Sequence, residues 1–208
     1  MNDIKPMDIE NHSFETITRE LSEMNITLPP EHELVVKRAI HASADFDYAE
    51  NLCFSPGAVS RAICALREGC DIVTDTQMAK SGINKTVLSE LGGDVHCFMS
   101  DDDVAEEAKR RAVTRAVVSM EKAAKLLKPC IFAIGNAPTA LMKLREFIEA
   151  GAIAPALVIG VPVGFVNVVE AKELIMEADV PYIVARGRKG GSNIAAAICN
   201  ALIYQIKR

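Results

Sequence analysis

The chain has 208 residues, half of them hydrophobic and only 5% aromatic, with a formal net charge of −5. That length suits one large α/β domain with an Ala, Val, Ile and Leu core, and the acidic balance excludes general nucleic-acid binding, which needs a basic face. No apolar run approaches the ~20 residues of a membrane span, no apolar signal stretch opens the chain, and six cysteines without CxxC spacing read as reduced thiols of a cytoplasmic protein.

No linker or low-complexity run divides the chain, so residues 1–208 read as a single domain, with a helical segment over 1–45 packed on an α/β core. Phe14, Ile17, Leu21 and Met24 recur at spacings of three and four, which predicts an amphipathic helix from Ser13 to Met24 with Asn11 or Ser13 as its N-cap. After Pro29-Pro30 a second helix is expected from Glu31 to about Ala44, with Pro30 in its first turn. On it Leu34, Arg38 and His41 stand at i, i+4 and i+7 and share one stripe. A stripe begun by Leu34 would ordinarily continue apolar. Instead a fixed cation and an imidazole stand one turn apart, able to grip a carboxylate and to give or take a proton near neutral pH. The alternative is an ordinary solvated Arg/His pair on a helix surface.

Asn51 to Phe54 reads as a short strand, with Ser55-Pro56 as cap and first residue of a helix ending at Gly69. Asp71 to Asp75 is a second strand, followed by a loop through Met78 to Gly82 and a short helix from Asn84 to Leu91. Asp94 to Phe98 is a third strand, on which His96 and Cys97 point to opposite faces. With no further ligand at metal-site spacing, no protein-bound metal is expected. Asp101-Asp102-Asp103 opens one long helix to about Leu127, and its Lys109, Arg110, Arg111 and Arg115 form a basic cluster from which Arg115 can turn inward.

Two β-loop-α units follow. Cys130-Ile-Phe-Ala-Ile-Gly-Asn-Ala-Pro138 and Ala156-Leu-Val-Ile-Gly-Val-Pro-Val-Gly164 each join an apolar run to a Gly/Pro turn and then to a helix-period segment. Such runs are central strands of a parallel sheet, and ligands bind beyond their carboxyl ends, so these turns are expected to edge a pocket. Pro181 to Arg186 is the last strand, Gly187 to Asn193 the last turn, and Ile194 to about Lys207 the final helix. Neither a Walker A loop nor a GxGxxG follows any strand. Six strands alternating with helices give a three-layer α/β/α, doubly wound and mostly parallel sheet of the flavodoxin-like kind, one early strand being an irregular edge.

Six segments in order carry a resemblance: Arg38-Ala-Ile-His41, Phe54-Ser-Pro56, Asp75-Thr-Gln-Met78, Ala133 to Leu141, Gly160 to Val166 with Glu170-Ala-Lys172, and Arg186-Gly-Arg-Lys-Gly-Gly-Ser192. Together they resemble the precorrin-8X methylmutase family, which includes the cobalt-precorrin-8 methylmutases of vitamin B12 synthesis. The resemblance runs from about Ser13 to the last helix.

It implies an isomerase that moves a methyl group from C-11 to C-12 of the corrinoid ring by a proton-assisted 1,5-sigmatropic shift, yielding hydrogenobyrinate or cobyrinate without a cofactor. By the same resemblance His41 is the proton donor and acceptor, Ser13, Arg38 and Arg115 are substrate contacts, and the protein is a homodimer. An apolar macrocycle fringed with carboxylates would suit a small-residue pocket edged by Arg38, Arg115, Arg186 and Arg188. The competing reading is a noncatalytic corrinoid carrier of the same fold, which would offer cobalt a histidine from a loop rather than from a helix. A signalling receiver would gather acidic residues at strand ends, and only Asp75 stands there.

Overall fold

The computed structural model describes residues 6–207. Its chain order is α1 (Pro6–Glu23), α2 (Glu33–Ser43), α3 (Tyr48–Asn51), β1 (Leu52–Phe54), α4 (Ala58–Arg67), β2 (Asp71–Thr74), α5 (Gln77–Gly82), α6 (Lys85–Glu90) and β3 (Val95–His96). It continues with α7 (Asp102–Arg111), α8 (Arg115–Ala123), β4 (Cys130–Ile134), α9 (Pro138–Glu149), β5 (Leu157–Gly160), α10 (Val168–Met176), β6 (Tyr182–Ala185) and α11 (Ser192–Ile203).

The six strands form one sheet in the order β1-β6-β5-β4-β2-β3. Five run parallel, and β1 closes an edge antiparallel to β6. Leaving out β1, the order is the doubly wound one in which the second strand lies outside the first, with a switch point between β2 and β4. The expected irregular edge is therefore β1. Ser55 prolongs it, its amide donating to Tyr182 O at 3.0 Å and its Oγ accepting from Tyr182 N at 2.9 Å.

All five residues of β4 are buried, as the apolar run requires. Alternation then divides them between two cores. Ile131 and Ala133 pack with α2, α4 and α11 on one face, whereas Cys130, Phe132 and Ile134 pack with α8, α9 and α10 on the other. This division is the three-layer arrangement expressed residue by residue. Each large aliphatic side chain so buried contributes about 1.5–3 kcal/mol.

Several sequence expectations are corrected. Ser13 is not a cap: α1 begins at Pro6, and the Ser13 hydroxyl donates back to Ile9 O at 2.9 Å in mid-helix. Helix α2 starts at Glu33, so Pro30 lies in the turn before it. Helix α4 starts at Ala58 behind Gly57, whose φ of 68° glycine adopts without strain, so Ser55-Pro56 belongs to the strand end and turn. The stretch from Met78 to Gly82 is helical, because Thr76 Oγ1 accepts from Ala79 N and caps α5. The long helix is two: Ala112 turns left-handed at φ 53° and Thr114 caps a fresh start at Arg115.

Candidate active site

The switch point at the carboxyl edge is filled by the protein itself. Asp75, just beyond β2 and fully buried, accepts from the amides of Gly135, Asn136 and Ala137 at 2.8, 2.8 and 2.6 Å. Burial pushes its carboxyl pKa up against the pull of those amides. Thr76 Oγ1 meets Ser192 Oγ at 2.8 Å, and a Cβ on Gly135 would lie 2.7 Å from Ser192 Cα. The expected pocket behind the β4 turn is therefore closed by the start of α11.

The cavity that holds sequence candidates opens to one side, between α1 and the last turn of α2. It encloses about 520 Å3, and its wall includes Ser13, Thr16, Ile17, Ile40, His41 and Phe46. That volume lies within the range of small-molecule sites. Two neighbouring stripes make it: Ser13 and Thr16 face it from α1, and Ile40 and His41 from α2. Ala44, left-handed at φ 54°, ends α2 immediately after His41's turn and leaves the imidazole exposed.

Arg38 lies beside this cavity rather than in its wall. Its guanidinium carbon sits 5.2 Å from the Phe14 ring centroid and 5.1 Å from that of Tyr204, and Nη2 bonds Glu10 Oε1. Phe14 also stacks on His41, centroids 5.6 Å apart, so one ring touches both candidate side chains. With Leu34, Arg38 lines a smaller cleft of about 110 Å3. The stripe read from the sequence is thus real, with its cation aromatic-clamped and its imidazole facing the cavity.

Arg115 is not brought to the same place. It starts α8, in the opposite helical layer, and borders a cleft of about 510 Å3 with Lys109 and Val113.

A glycine-rich ledge joins the cavity to the rest of the carboxyl edge. Fully buried Lys172 of α10 donates to Gly187 O at 2.7 Å and Lys189 O at 2.8 Å. Desolvation lowers its pKa to about 8. A Cβ on Gly190 would come within 2.1 Å of Val161 O, so only glycine lets this turn lie against the β5 turn. Lys189 reaches Asp45 Oδ2 at 2.6 Å and Asp47 Oδ2 at 2.5 Å, on either side of the cavity residue Phe46, and the pairing raises its pKa.

Glu10, Tyr204 and the Lys189 pairings escaped the sequence reading, which took Phe14 only as part of the α1 apolar stripe. Glu10 was findable by carrying that period one turn earlier than Phe14; the rest depend on tertiary contact.

A model of the precorrin-8X methylmutase family matches residues 8–205. The chain belongs to the precorrin-8X methylmutase family. The cobalt-precorrin-8 methylmutase of Priestia megaterium is 46% identical over 199 residues, covering 96% of this chain and 88% of that protein. The protein of the same name from Leptospira interrogans is also 46% identical, covering 94% and 92%. The precorrin-8X methylmutase of Pseudomonas aeruginosa is 40% identical, covering 93% of each. Among solved structures, the precorrin-8X methylmutase of Thermus thermophilus superposes with a TM-score of 0.86 at 41% identity, over 94% of this chain and 96% of that one. Membership in the methylmutase family makes the chain a methyl-shifting isomerase.

Proposed function

We propose that the chain acts on the precorrin-8 ring, moving a methyl group from C-11 to C-12 to give cobyrinate from the cobalt-bearing ring or hydrogenobyrinate from the metal-free one. One carbon–carbon bond breaks as the other forms and the ring's π electrons shift to compensate, so no electron enters or leaves. The methyl is already on the substrate, and any cobalt travels with it. Protonating the conjugated ring helps it accept the migrating group; His41 gives that proton and takes it back. Ser13 and Arg38 hold the ring and its carboxylates. The observation that carries this reading is the convergence of Ser13 and His41 on one cavity, with Arg38 stacked on the Phe14 ring that His41 also touches.

The enzyme works as a cytoplasmic homodimer, each protomer a single methylmutase domain. Two features support the dimer. Ile9 and Leu34 beside the cavity are 55% and 51% exposed, leaving apolar surface for a partner to cover. Arg115 lies in the opposite layer, and it meets a substrate carboxylate when a second protomer brings its α7–α8 corner to the cleft. For the cytoplasm, the six cysteines are all free thiols, and no described helix is long and apolar enough to cross a membrane.

Cobalt-precorrin-8 and metal-free precorrin-8, each mixed with purified protein, test the reading through the absorbance of product. Conversion is expected, faster with cobalt, since the relatives at 46% identity bear the cobalt-precorrin name. Tight binding of both rings without conversion would make the protein a carrier.

A further inference from the structure

The last turn carries three cations, and they are not equivalent. Arg186 Nε bonds Glu173 Oε1 at 3.0 Å, on the flank of α10. Lys189 is held by Asp45 and Asp47. Arg188 between them is exposed and makes no ion pair among the described residues; its guanidinium carbon lies 5.5 Å from the centroid of the Phe165 ring. Its backbone is nevertheless fixed, because Gly164 N donates to Arg188 O at 3.2 Å while buried Lys172 grips the carbonyls on either side.

Phe165 is 84% exposed, and Val163 and Val166 beside it are 48% and 75% exposed. A rigid turn thus presents an apolar patch, one aromatic face and one uncommitted guanidinium. The turn that bears the patch is tied to the segment beside the cavity of His41: the next residue, Lys189, is pinned to the two aspartates that flank Phe46, and Asn193 Nδ2 bonds Ala42 O at 3.4 Å.

Resting on the isomerase reading above, we propose that Arg188 and Phe165 are a second contact for the substrate: Phe165 meets an apolar face of the macrocycle and Arg188 binds one peripheral carboxylate. Charge complementarity selects this occupant, because an apolar ring with carboxylates at its edge matches both halves of the patch. Arg186, which the sequence suggested for the pocket edge, is instead paired with Glu173 on the flank of α10, and Lys189 with Asp45 and Asp47, so neither is assigned to the substrate.

The test compares wild type with Arg188→Met, Phe165→Ala and, as control, Arg186→Met, reading kcat, KM, the Kd of cobyrinate and the mass in solution. A charge-assisted bond to a carboxylate supplies about ten- to a hundred-fold in affinity. Arg188→Met should raise KM and Kd by about that factor with kcat changed less than about two-fold, and Arg186→Met should change neither. With a fully amidated cobyrinate, which offers no carboxylate, wild type and Arg188→Met should bind alike. Unchanged KM and Kd in Arg188→Met would overturn the assignment while leaving a converting wild type intact. Loss of dimer mass in Phe165→Ala would give the patch to the subunit interface and overturn it as well. A wild type that neither binds nor converts corrinoids would sink the isomerase reading and this one with it.

Discussion

The ring of Phe14 lies over that of His41, with centroids 5.6 Å apart and planes 24° from parallel. A residue of α1 thereby sets the orientation of an imidazole on α2, which would otherwise be an exposed side chain free to change rotamer. If His41 is the proton donor proposed above, His41→Ala should lower kcat by about 10²–10⁴-fold, the usual contribution of general acid–base catalysis, with the fold and product affinity intact. Phe14→Leu keeps the imidazole but loses the stack. An aromatic pair is worth about 0.5–1.5 kcal/mol, so kcat should fall roughly two- to ten-fold. Steady-state kinetics on both variants check the ranking, and equal activity in His41→Ala and wild type would remove His41 from the mechanism.

Arg38 is held by two aromatic rings and Glu10 before any substrate arrives. Preorganisation of that kind favours binding in ground and transition states alike. Arg38→Ala should therefore raise KM by about ten-fold or more with little change in kcat. It should also cost about 1–3 kcal/mol of stability, because half-buried Glu10 loses the Arg38 ion pair. A large fall in kcat at constant KM would give Arg38 a role in the chemical step instead.

How much of this was legible in the sequence follows from the range of the forces involved. The parallel core was readable because Cys130–Ile134 and Leu157–Gly160 are apolar on both faces, as burial between two helical layers demands. The stripe of Arg38 and His41 was readable because helical spacing alone puts them one turn apart. The break at Ala112 was not, since an alanine at φ 53° announces nothing locally and is held there by the packing of α7 against α8. The closure of the switch point was equally hidden: it takes Asp75, Gly135 and Ser192, residues far apart in sequence, to fill it. Arg188 stood among three cations of similar promise, and only the positions of Glu173, Asp45 and Asp47 distinguish it.

At the amino edge of the sheet, Asp71 accepts from Asp94 N at 2.9 Å and meets His96 Nε2 at 2.9 Å, with Lys128 Nζ at 3.4 Å. Burial works to raise its pKa, but the His96 ring, the Asp94 amide and Lys128 together hold it below the usual 3.8. A carboxylate depressed on folding stabilises the protein fully above 3.8, and that contribution is lost as pH falls through the folded value. Asp71→Asn should cost about 1–3 kcal/mol near neutrality, and its deficit against wild type should shrink below about pH 4. Since the site lies at the strand ends opposite the His41 cavity, KM should not change. Urea titrations at pH 7 and pH 3.5 check this, and a deficit equal at both would show that the carboxylate charge is not what matters.

Lys172 sets the opposite pH signature. Its usual pKa of 10.5 is lowered to about 8 by burial. A neutral amine still has two hydrogens, and Gly187 O and Lys189 O take both. Between about pH 8 and pH 10.5 the unfolded chain therefore carries a proton that the folded one has released, and the sign of linkage makes stability rise with pH across that window. The full span is worth at most about 3–4 kcal/mol, from about 2.5 pKa units at 1.36 kcal/mol each. Lys172→Met removes the titration and both hydrogen bonds, whereas the tyrosines and thiols that titrate nearby in pH remain in both proteins and cancel in the comparison. Wild type should be the more stable, and its advantage should widen from pH 7.5 to pH 10 in urea unfolding. An advantage that stays constant would mean that the two carbonyls hold Lys172 as an ammonium throughout, and that the turn bearing Arg188 rests on a buried charge.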